Sequence, residues 1–162
     1  MNEIIEESEY KKAIAGLVYD CTNGVIYRKY TSSGWKTVGC RDKDNGYILV
    51  RSNGSRLLKA HRLIYYIMEG KIPRVIDHIN GNTSDNRWCN LRECSSSQNS
   101  MNSKSSKRFK GVYKRKNRWV ATIFSKGVNY YLGSFITAIG AAKAYNDMAL
   151  KLHGEFARLN VV

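Results

Sequence analysis

Short apolar runs that follow Asn–Gly pairs constrain the fold of this 162-residue chain more than any other feature. Val25–Tyr27 follows Asn23–Gly24, and Tyr47–Val50 follows Asn45–Gly46. Asn–Gly before such a run is a strong signal for a tight hairpin turn, because both residues accept a positive φ. The pattern therefore predicts short antiparallel strands across residues 17–58.

A segment of small, polar and basic residues at 100–108 has the composition of a linker. Three β-like runs follow it, at Gly111–Tyr113, Trp119–Phe124 and Asn129–Gly133. Ala138–His153 then reads as an amphipathic helix, with Thr137 as its N-cap and Gly154 as its stop. Three strands and one helix predict a small compact unit, since the helix can cover one face of the sheet.

Before the linker, residues 60–69 carry apolar groups at helical spacing and end at Gly70, which predicts a helix. Val75–Ile76 begins a short strand that Asn80–Gly81 turns. We therefore expect an α+β protein in two domains, residues 1–106 and residues 107–162. Antiparallel hairpins begin the first domain, and the second is a three-stranded sheet with one helix.

The charge of the chain points to a polyanionic partner. It carries 27 Lys and Arg against 13 Asp and Glu, for a net charge of +14. Residues 107–162 hold eleven basic and two acidic residues, and no acidic residue lies between Glu93 and Asp147. A solvated basic surface is the alternative, but an imbalance this uneven favours nucleic acid over a small-molecule substrate.

Localisation and metal content are constrained by what the sequence lacks. No run of about 18 apolar residues occurs, so no membrane span is expected. Met1–Glu7 is acidic and has no signal-peptide pattern, so we expect an intracellular protein. The four cysteines form no Cys-x-x-Cys pair and have no histidine at zinc-ligand spacing, so they are expected to be reduced thiols without a structural zinc.

Asp77–His78 stands at the end of a predicted strand and brings a carboxylate and an imidazole together. Asp77 is a hard oxygen donor suited to magnesium or manganese, and His78 is suited to take a proton from water. Asn99 offers a second oxygen ligand, and Asn90 can tie its loop to the His78 backbone. The alternative is an ordinary strand-to-turn sequence in which both asparagines are simple caps.

The spacing of His78, Asn90 and Asn99 along the chain favours the metal site over an ordinary strand-to-turn sequence. Eleven residues lie between His78 and Asn90, and eight lie between Asn90 and Asn99. With the flanking motifs Asp85-Asn86-Arg87, Asn90-Leu91-Arg92 and His61-Arg62-Leu63, residues 47–102 resemble the phage-type HNH homing endonucleases in their His-Asn-Asn form. The resemblance implies a ββα-metal core, one divalent metal ion and hydrolysis of DNA. It makes Asp77 and Asn99 metal ligands, His78 the general base and Asn90 the loop-orienting amide.

Three further residues near this motif have open roles. His61 either contacts phosphate or supports the site from outside, or else it is a cap or packed surface histidine. Arg87 and Arg92 either clamp phosphate or pair with Asp85 and Glu93, and we favour a phosphate role for one of them.

Residues 107–160 are similar to the plant ethylene-response-factor type of DNA-binding domain, which is also found fused to phage HNH nucleases. Such a sheet lays one face in a major groove and packs its other face on the helix. The expected contacts are Lys110, Tyr113, Lys114, Arg115, Lys116 and Arg118. Tyr113, Thr122, Phe124, Asn129 and Tyr131 stand where the plant proteins carry other residues, so the plant recognition sequence does not carry over.

We therefore expect a site-preferring endonuclease of double-stranded DNA, similar to a homing endonuclease, with one magnesium or manganese ion and a histidine base. If it is phage-encoded, it acts in the cytoplasm of a bacterial host. The alternative is a catalytically inactive, sequence-specific DNA-binding protein or regulator. A third reading is a nonspecific or RNA-directed nuclease, which the basic C-terminal module disfavours.

Overall fold

The structure is a computed structural model that describes residues 7–51 and 56–162 of the chain. The chain forms two compact units, one ending at Ser95 and the other beginning at Ser96. Within the described residues the fold is mixed α+β, with small antiparallel sheets and four α-helices, which confirms the predicted fold class. No helix in this part of the chain has both the length and the apolar character needed to cross a membrane. The division after residue 106 stays a prediction.

The first unit is built from hairpins and two helices. Its elements in chain order are α1 (Glu7–Ile14), β1 (Leu17–Asp20), β2 (Val25–Tyr30), β3 (Gly34–Val38), β4 (Cys40–Arg41), β5 (Ile48–Arg51), β6 (Leu57–Lys59), α2 (Ala60–Glu69), β7 (Ile76–His78) and β8 (Leu91–Glu93). They form antiparallel sheets ordered β1–β2–β3, β4–β5–β6 and β7–β8. Helix α2 ends as predicted, at Gly70 in the left-handed conformation.

Helix α2 supplies much of the core of the first unit, because its apolar residues recur on one face. Leu63 and Ile64 are fully buried, and Tyr10 of α1 packs in the same cluster. Ile76 of β7 and Leu91 of β8 join this cluster. The two-stranded sheet that carries Asp77 and His78 is therefore anchored on a packed helix.

The β1–β2 turn shows why the sequence requires glycine at one position. Gly24 has a φ of +72°, and its backbone amide donates to Asp20 O. A Cβ at Gly24 would lie 2.5 Å from the backbone nitrogen of Arg87. The turn therefore needs a residue that tolerates positive φ and also leaves room for the loop before β8.

Gly24→Ala should lower the free energy of unfolding by about 2–4 kcal/mol, because left-handed strain and a backbone clash add together. Gly34→Ala is the matched control, since Gly34 has a φ of +70° but a Cβ there would meet nothing within 4 Å. We expect Gly34→Ala to lower the free energy of unfolding by about 1 kcal/mol, because only the left-handed strain is added. Urea denaturation of both variants measures the difference, and equal losses would contradict the clash.

The second unit has elements α3 (Ser96–Asn102), β9 (Val112–Arg115), β10 (Arg118–Ser125), β11 (Val128–Phe135) and α4 (Ala138–His153). The strands form one antiparallel sheet with β10 in the centre and a register shift between Ala121 and Thr122. Thr137 caps α4 as predicted, since its Oγ1 accepts from the Gly140 amide at 3.1 Å.

Helix α4 covers one face of this sheet. Ala141, Ala142 and Ala149 of the helix are fully buried. Trp119 packs against the cluster that contains Ala141 and Ala142, as expected for a core aromatic. Small residues on the helix let it approach the strands closely. The other face, which we call the outer face, carries the alternate strand residues: Tyr113, Arg115, Arg118, Val120, Thr122, Phe124, Asn129, Tyr131 and Ser134.

Candidate active site

The β7–β8 hairpin positions both chemically active residues of the motif. In the strand register Asp77 lies opposite Arg92, and His78 lies opposite Leu91. The side chains of Asp77 and His78 are both buried. His78 is the last residue of β7, and its carbonyl oxygen accepts from the Gly81 amide at 2.7 Å. The turn predicted after His78 is therefore formed.

The imidazole of His78 is held by a neighbouring amide and two rings. His78 Nε2 donates to Asn86 Oδ1 across 3.1 Å. The ring of His61 meets the His78 ring edge-on with centroids 5.1 Å apart, and the Tyr47 ring lies at 5.9 Å. Because an amide oxygen is an acceptor, the proton of neutral His78 sits on Nε2. Nδ1 then carries the lone pair that can accept a proton.

Both histidines are neutral near pH 7. Burial lowers the pKa of His78, while the hydrogen bond to Asn86 and the charges of Asp77 and Asp85 act in the opposite direction. Burial also places the pKa of His61 well below its usual value, and the neighbouring His78 lowers it further. His61 is thus buried against His78 rather than at the surface, and its supporting role stays a prediction.

Asn90 fixes the loop that follows His78 through both ends of its amide. Its Oδ1 accepts from the Asn80 backbone amide at 2.9 Å, and its Nδ2 donates to the Asp85 carbonyl at 2.7 Å. From the sequence we expect the His78 backbone as the partner of this amide. That detail was wrong, because the Asn90 side chain reaches across the loop to Asn80 and Asp85 instead. Asn90 is a positioning residue in this geometry.

The two arginines near the motif are both paired with carboxylates. Arg92 donates from Nε and Nη2 to Asp77 Oδ2, at 3.0 and 2.8 Å. Glu93, the alternative partner considered for Arg92, pairs with Lys71 instead.

The second arginine pair is more exposed than the first. Arg87 makes two side-chain hydrogen bonds to Asp85, at 2.8 and 2.6 Å, as the pairing alternative expected. These bonds help hold the pKa of Asp85 at about 2.

Neighbouring strands brace the loop between β7 and β8. Tyr19 donates its hydroxyl to the Asn86 carbonyl at 2.8 Å, and Ser84 Oγ donates to the Gly46 carbonyl at 2.7 Å. The N-terminal hairpins therefore hold Asn86 in place. The sequence identifies Asn86 only as part of the Asp85-Asn86-Arg87 motif and does not predict its contact with His78. Its position in that motif was the one feature of the sequence that could have indicated a role for Asn86.

The donors near His78 suit a hard metal ion. Asp77 offers a buried carboxylate, whose oxygens match magnesium or manganese better than softer metals. Among the described residues, no group of three or more His, Cys, Asp or Glu side chains is arranged to hold a metal. Asn99 lies on α3, in the second unit.

The predicted DNA contacts take different positions in the second unit. Tyr113, Arg115 and Arg118 share the outer face, and Lys116 forms the β9–β10 turn with a φ of +52°. Lys114 is exposed but lies opposite Trp119, on the other face.

Lys110 differs from the other predicted contacts. Its Nζ donates to three carbonyls at the end of α3, those of Ser100, Met101 and Ser103. All three ammonium donors are therefore used, and we assign Lys110 to capping α3 rather than to phosphate contact.

Comparison with known proteins adds a second line of evidence. Residues 58–101 match the family model described as HNH endonuclease. The resemblance to the HNH endonuclease family is confirmed for this segment. The matched segment contains α2, the β7–β8 hairpin and the residues around His78.

Several curated relatives extend this result. An uncharacterised HNH endonuclease of Acanthamoeba polyphaga mimivirus is 39% identical over 109 residues, covering 65% of this chain and 58% of that protein. An AP2-like ethylene-responsive transcription factor of Arabidopsis thaliana is 43% identical over 59 residues, covering 35% of this chain and 12% of that protein. The chain thus spans less than two thirds of either relative. These similarities confirm the predicted resemblance to an HNH endonuclease fused to an ethylene-response-factor-like domain. No solved structure gives a significant match.

For the DNA cleavage expected from the sequence, Asn86→Ala should lower the rate about 10- to 100-fold, because His78 loses the acceptor that fixes its tautomer. DNA affinity should change little, whereas the melting temperature should fall, because the buried His78 ring loses its hydrogen-bond partner. Asn82→Ala is the control, since Asn82 is an exposed amide of the same loop. Single-turnover cleavage by the two variants measures the effect, and equal rates would show that the bond to His78 has no catalytic consequence.

Proposed function

We propose that this chain is a divalent-metal-dependent DNA endonuclease in which His78 is the general base. The observation that carries the proposal is the buried His78 beside Asp77, with its proton held on Nε2 by Asn86. The HNH family match over residues 58–101 supports it, since it covers the same hairpin.

His78 acts through Nδ1 in this proposal. It accepts a proton from a water molecule as the water oxygen forms a bond to phosphorus and the bond from phosphorus to the leaving oxygen breaks. His61 and Tyr47 pack against the imidazole and limit its rotation. Asn90 holds the loop on which Asn86 stands, so the tautomer of His78 is preserved.

The metal would be held by the Asp77 carboxylate, with Asn99 proposed as a further ligand from its motif spacing and the family resemblance alone. The oxygen donors favour magnesium or manganese. When bound, such an ion stabilises negative charge on the phosphate and on the leaving oxygen. Arg92 holds Oδ2 of Asp77 and so fixes the carboxylate orientation.

The second unit would hold double-stranded DNA. Its strands and turns carry Lys114, Arg115, Lys116, Arg118 and Lys126, without an acidic residue between Glu93 and Asp147. A basic surface of this kind supplies phosphate contacts, and residues on the sheet select the site. The nuclease segment hydrolyses phosphodiester bonds without regard to sequence, and the second unit selects the sequence that is cleaved. Together they give the site preference of a homing endonuclease.

The direct test is cleavage of supercoiled plasmid by the purified chain. We expect nicked or linear product with magnesium or manganese and none with excess EDTA. Binding without cleavage at any metal concentration would instead support a catalytically inactive DNA-binding protein. RNA cleavage in preference to duplex DNA would contradict the proposed substrate.

Arg115→Ala should weaken binding to all duplexes and reduce the slope of log affinity against log salt by about 1, because one phosphate contact is lost. Lys143→Ala is the control, since Lys143 is an exposed cation on α4, which covers the opposite face of the sheet. Fluorescence anisotropy over a range of salt concentrations, with EDTA present, measures both slopes. An unchanged slope for Arg115→Ala would remove the outer face from the DNA interface.

A further inference from the structure

The outer face of the three-stranded sheet exposes aromatic rings. Phe124 and Tyr131 are 64% and 65% exposed, and Tyr113 is 39% exposed. Thr122 lies directly opposite Tyr131, and Phe124 lies opposite Asn129 on the same face. Large apolar side chains that are grouped on one exposed face usually indicate a binding surface.

The charge around this face identifies the partner as a polyanion. Arg115 and Arg118 flank the β9–β10 turn, and Lys126 forms the β10–β11 turn. No acidic residue occurs within the sheet. Three strands span about 10 Å, which matches the roughly 12 Å width of a B-DNA major groove.

The chemistry of the face favours one feature of the groove. Guanine is usually read by a bidentate arginine, but the Arg118 side chain donates to Ser134 Oγ and to Ser134 O, at 2.9 and 2.8 Å. The face instead presents Thr122 and Phe124 of the central strand β10 and Tyr131 of the edge strand β11. In the major groove the apolar group on a base edge is the C5-methyl of thymine.

We propose that this outer face recognises A·T base pairs by apolar contact of Phe124, Tyr131 and Thr122 with thymine methyl groups. The inference rests on the proposed function, in that the second unit binds duplex DNA. It concerns specificity, so it is separable from cleavage and from phosphate binding. It predicts that this chain binds A·T-rich DNA sites in preference to G·C-rich ones.

The test compares three duplexes of equal length: one A·T-rich, the same duplex with every thymine replaced by uracil, and one G·C-rich. Uracil removes only the methyl group and keeps the hydrogen-bonding edge. The full chain, with EDTA present, should bind the thymine duplex about 3- to 10-fold more tightly than the uracil duplex. Phe124→Ala should weaken binding to the thymine duplex and bring the ratio close to one. Leu150→Ala, an exposed apolar residue on α4, should keep the ratio.

Equal affinity of the unaltered chain for the thymine and uracil duplexes would overturn the inference. The proposed function would survive that result if Arg115→Ala still lowered the salt slope. Tighter binding to single strands than to either duplex would also overturn it, because the rings would then be stacking on unpaired bases. Absence of binding to all DNA would overturn the proposed function itself.

Discussion

Replacing His78 with alanine should lower DNA cleavage by about 10²- to 10⁴-fold, because the reaction loses its general base. DNA affinity should stay within about twofold, since His78 is buried and carries no charge near pH 7. Single-turnover cleavage of plasmid measures the first quantity, and anisotropy with EDTA present measures the second.

The chain contains three histidines, which provide a matched control. His153 is also buried and makes one hydrogen bond, from Nε2 to the Phe124 carbonyl in the second unit. His153→Ala should reduce stability without a comparable loss of single-turnover cleavage by the folded protein. Equal losses of cleavage in both variants, or equal loss of cleavage and binding in His78→Ala, would contradict a catalytic role for His78.

Arg92→Met should lower the free energy of unfolding by about 3–5 kcal/mol, because it leaves the buried Asp77 carboxylate without its arginine. The side chains of Arg92 and Asp77 are only 13% and 6% exposed. Replacing both residues, as Asp77→Leu with Arg92→Met, should recover much of this loss, since two apolar groups need no ionic partner. Urea denaturation of the single and double variants tests the coupling.

The Arg87–Asp85 pair is the natural comparison, because it has similar geometry at a more exposed position. Its side chains are 49% and 14% exposed, and the shorter contact is 2.6 Å. Arg87→Met should therefore lower the free energy of unfolding by less than about 1 kcal/mol. If Arg92→Met and Arg87→Met had equal effects on stability, burial would not be the source of the Asp77–Arg92 contribution.

Sequence alone predicted the elements that carry this site because local signals agreed with the fold. Helix α2 and its end at Gly70, the strand at Asp77–His78 and the cap at Thr137 each depend on near neighbours in the chain. These features need no knowledge of long-range packing, so pattern and turn chemistry were sufficient.

Long-range partners were beyond the reach of sequence patterns. The bond from Tyr19 to Asn86 joins residues 67 positions apart, and the Lys110 amide donates to Asn160 Oδ1 across 50 positions. Pairing with its sequence neighbour Glu93 was one alternative for Arg92, but strand pairing places Arg92 opposite Asp77. Register across a hairpin decided that pairing, and composition carries no information about register.

The most direct test of the account is chemical rescue of His78→Ala by imidazole in solution. We predict that imidazole restores a measurable part of metal-dependent cleavage in His78→Ala, since it can supply the missing base. It should not raise the rate of Asn99→Ala, which keeps His78. Failure of imidazole to rescue a folded, DNA-binding His78→Ala protein that cleaves no faster than background, or full activity of that variant without imidazole, would contradict His78 as the general base.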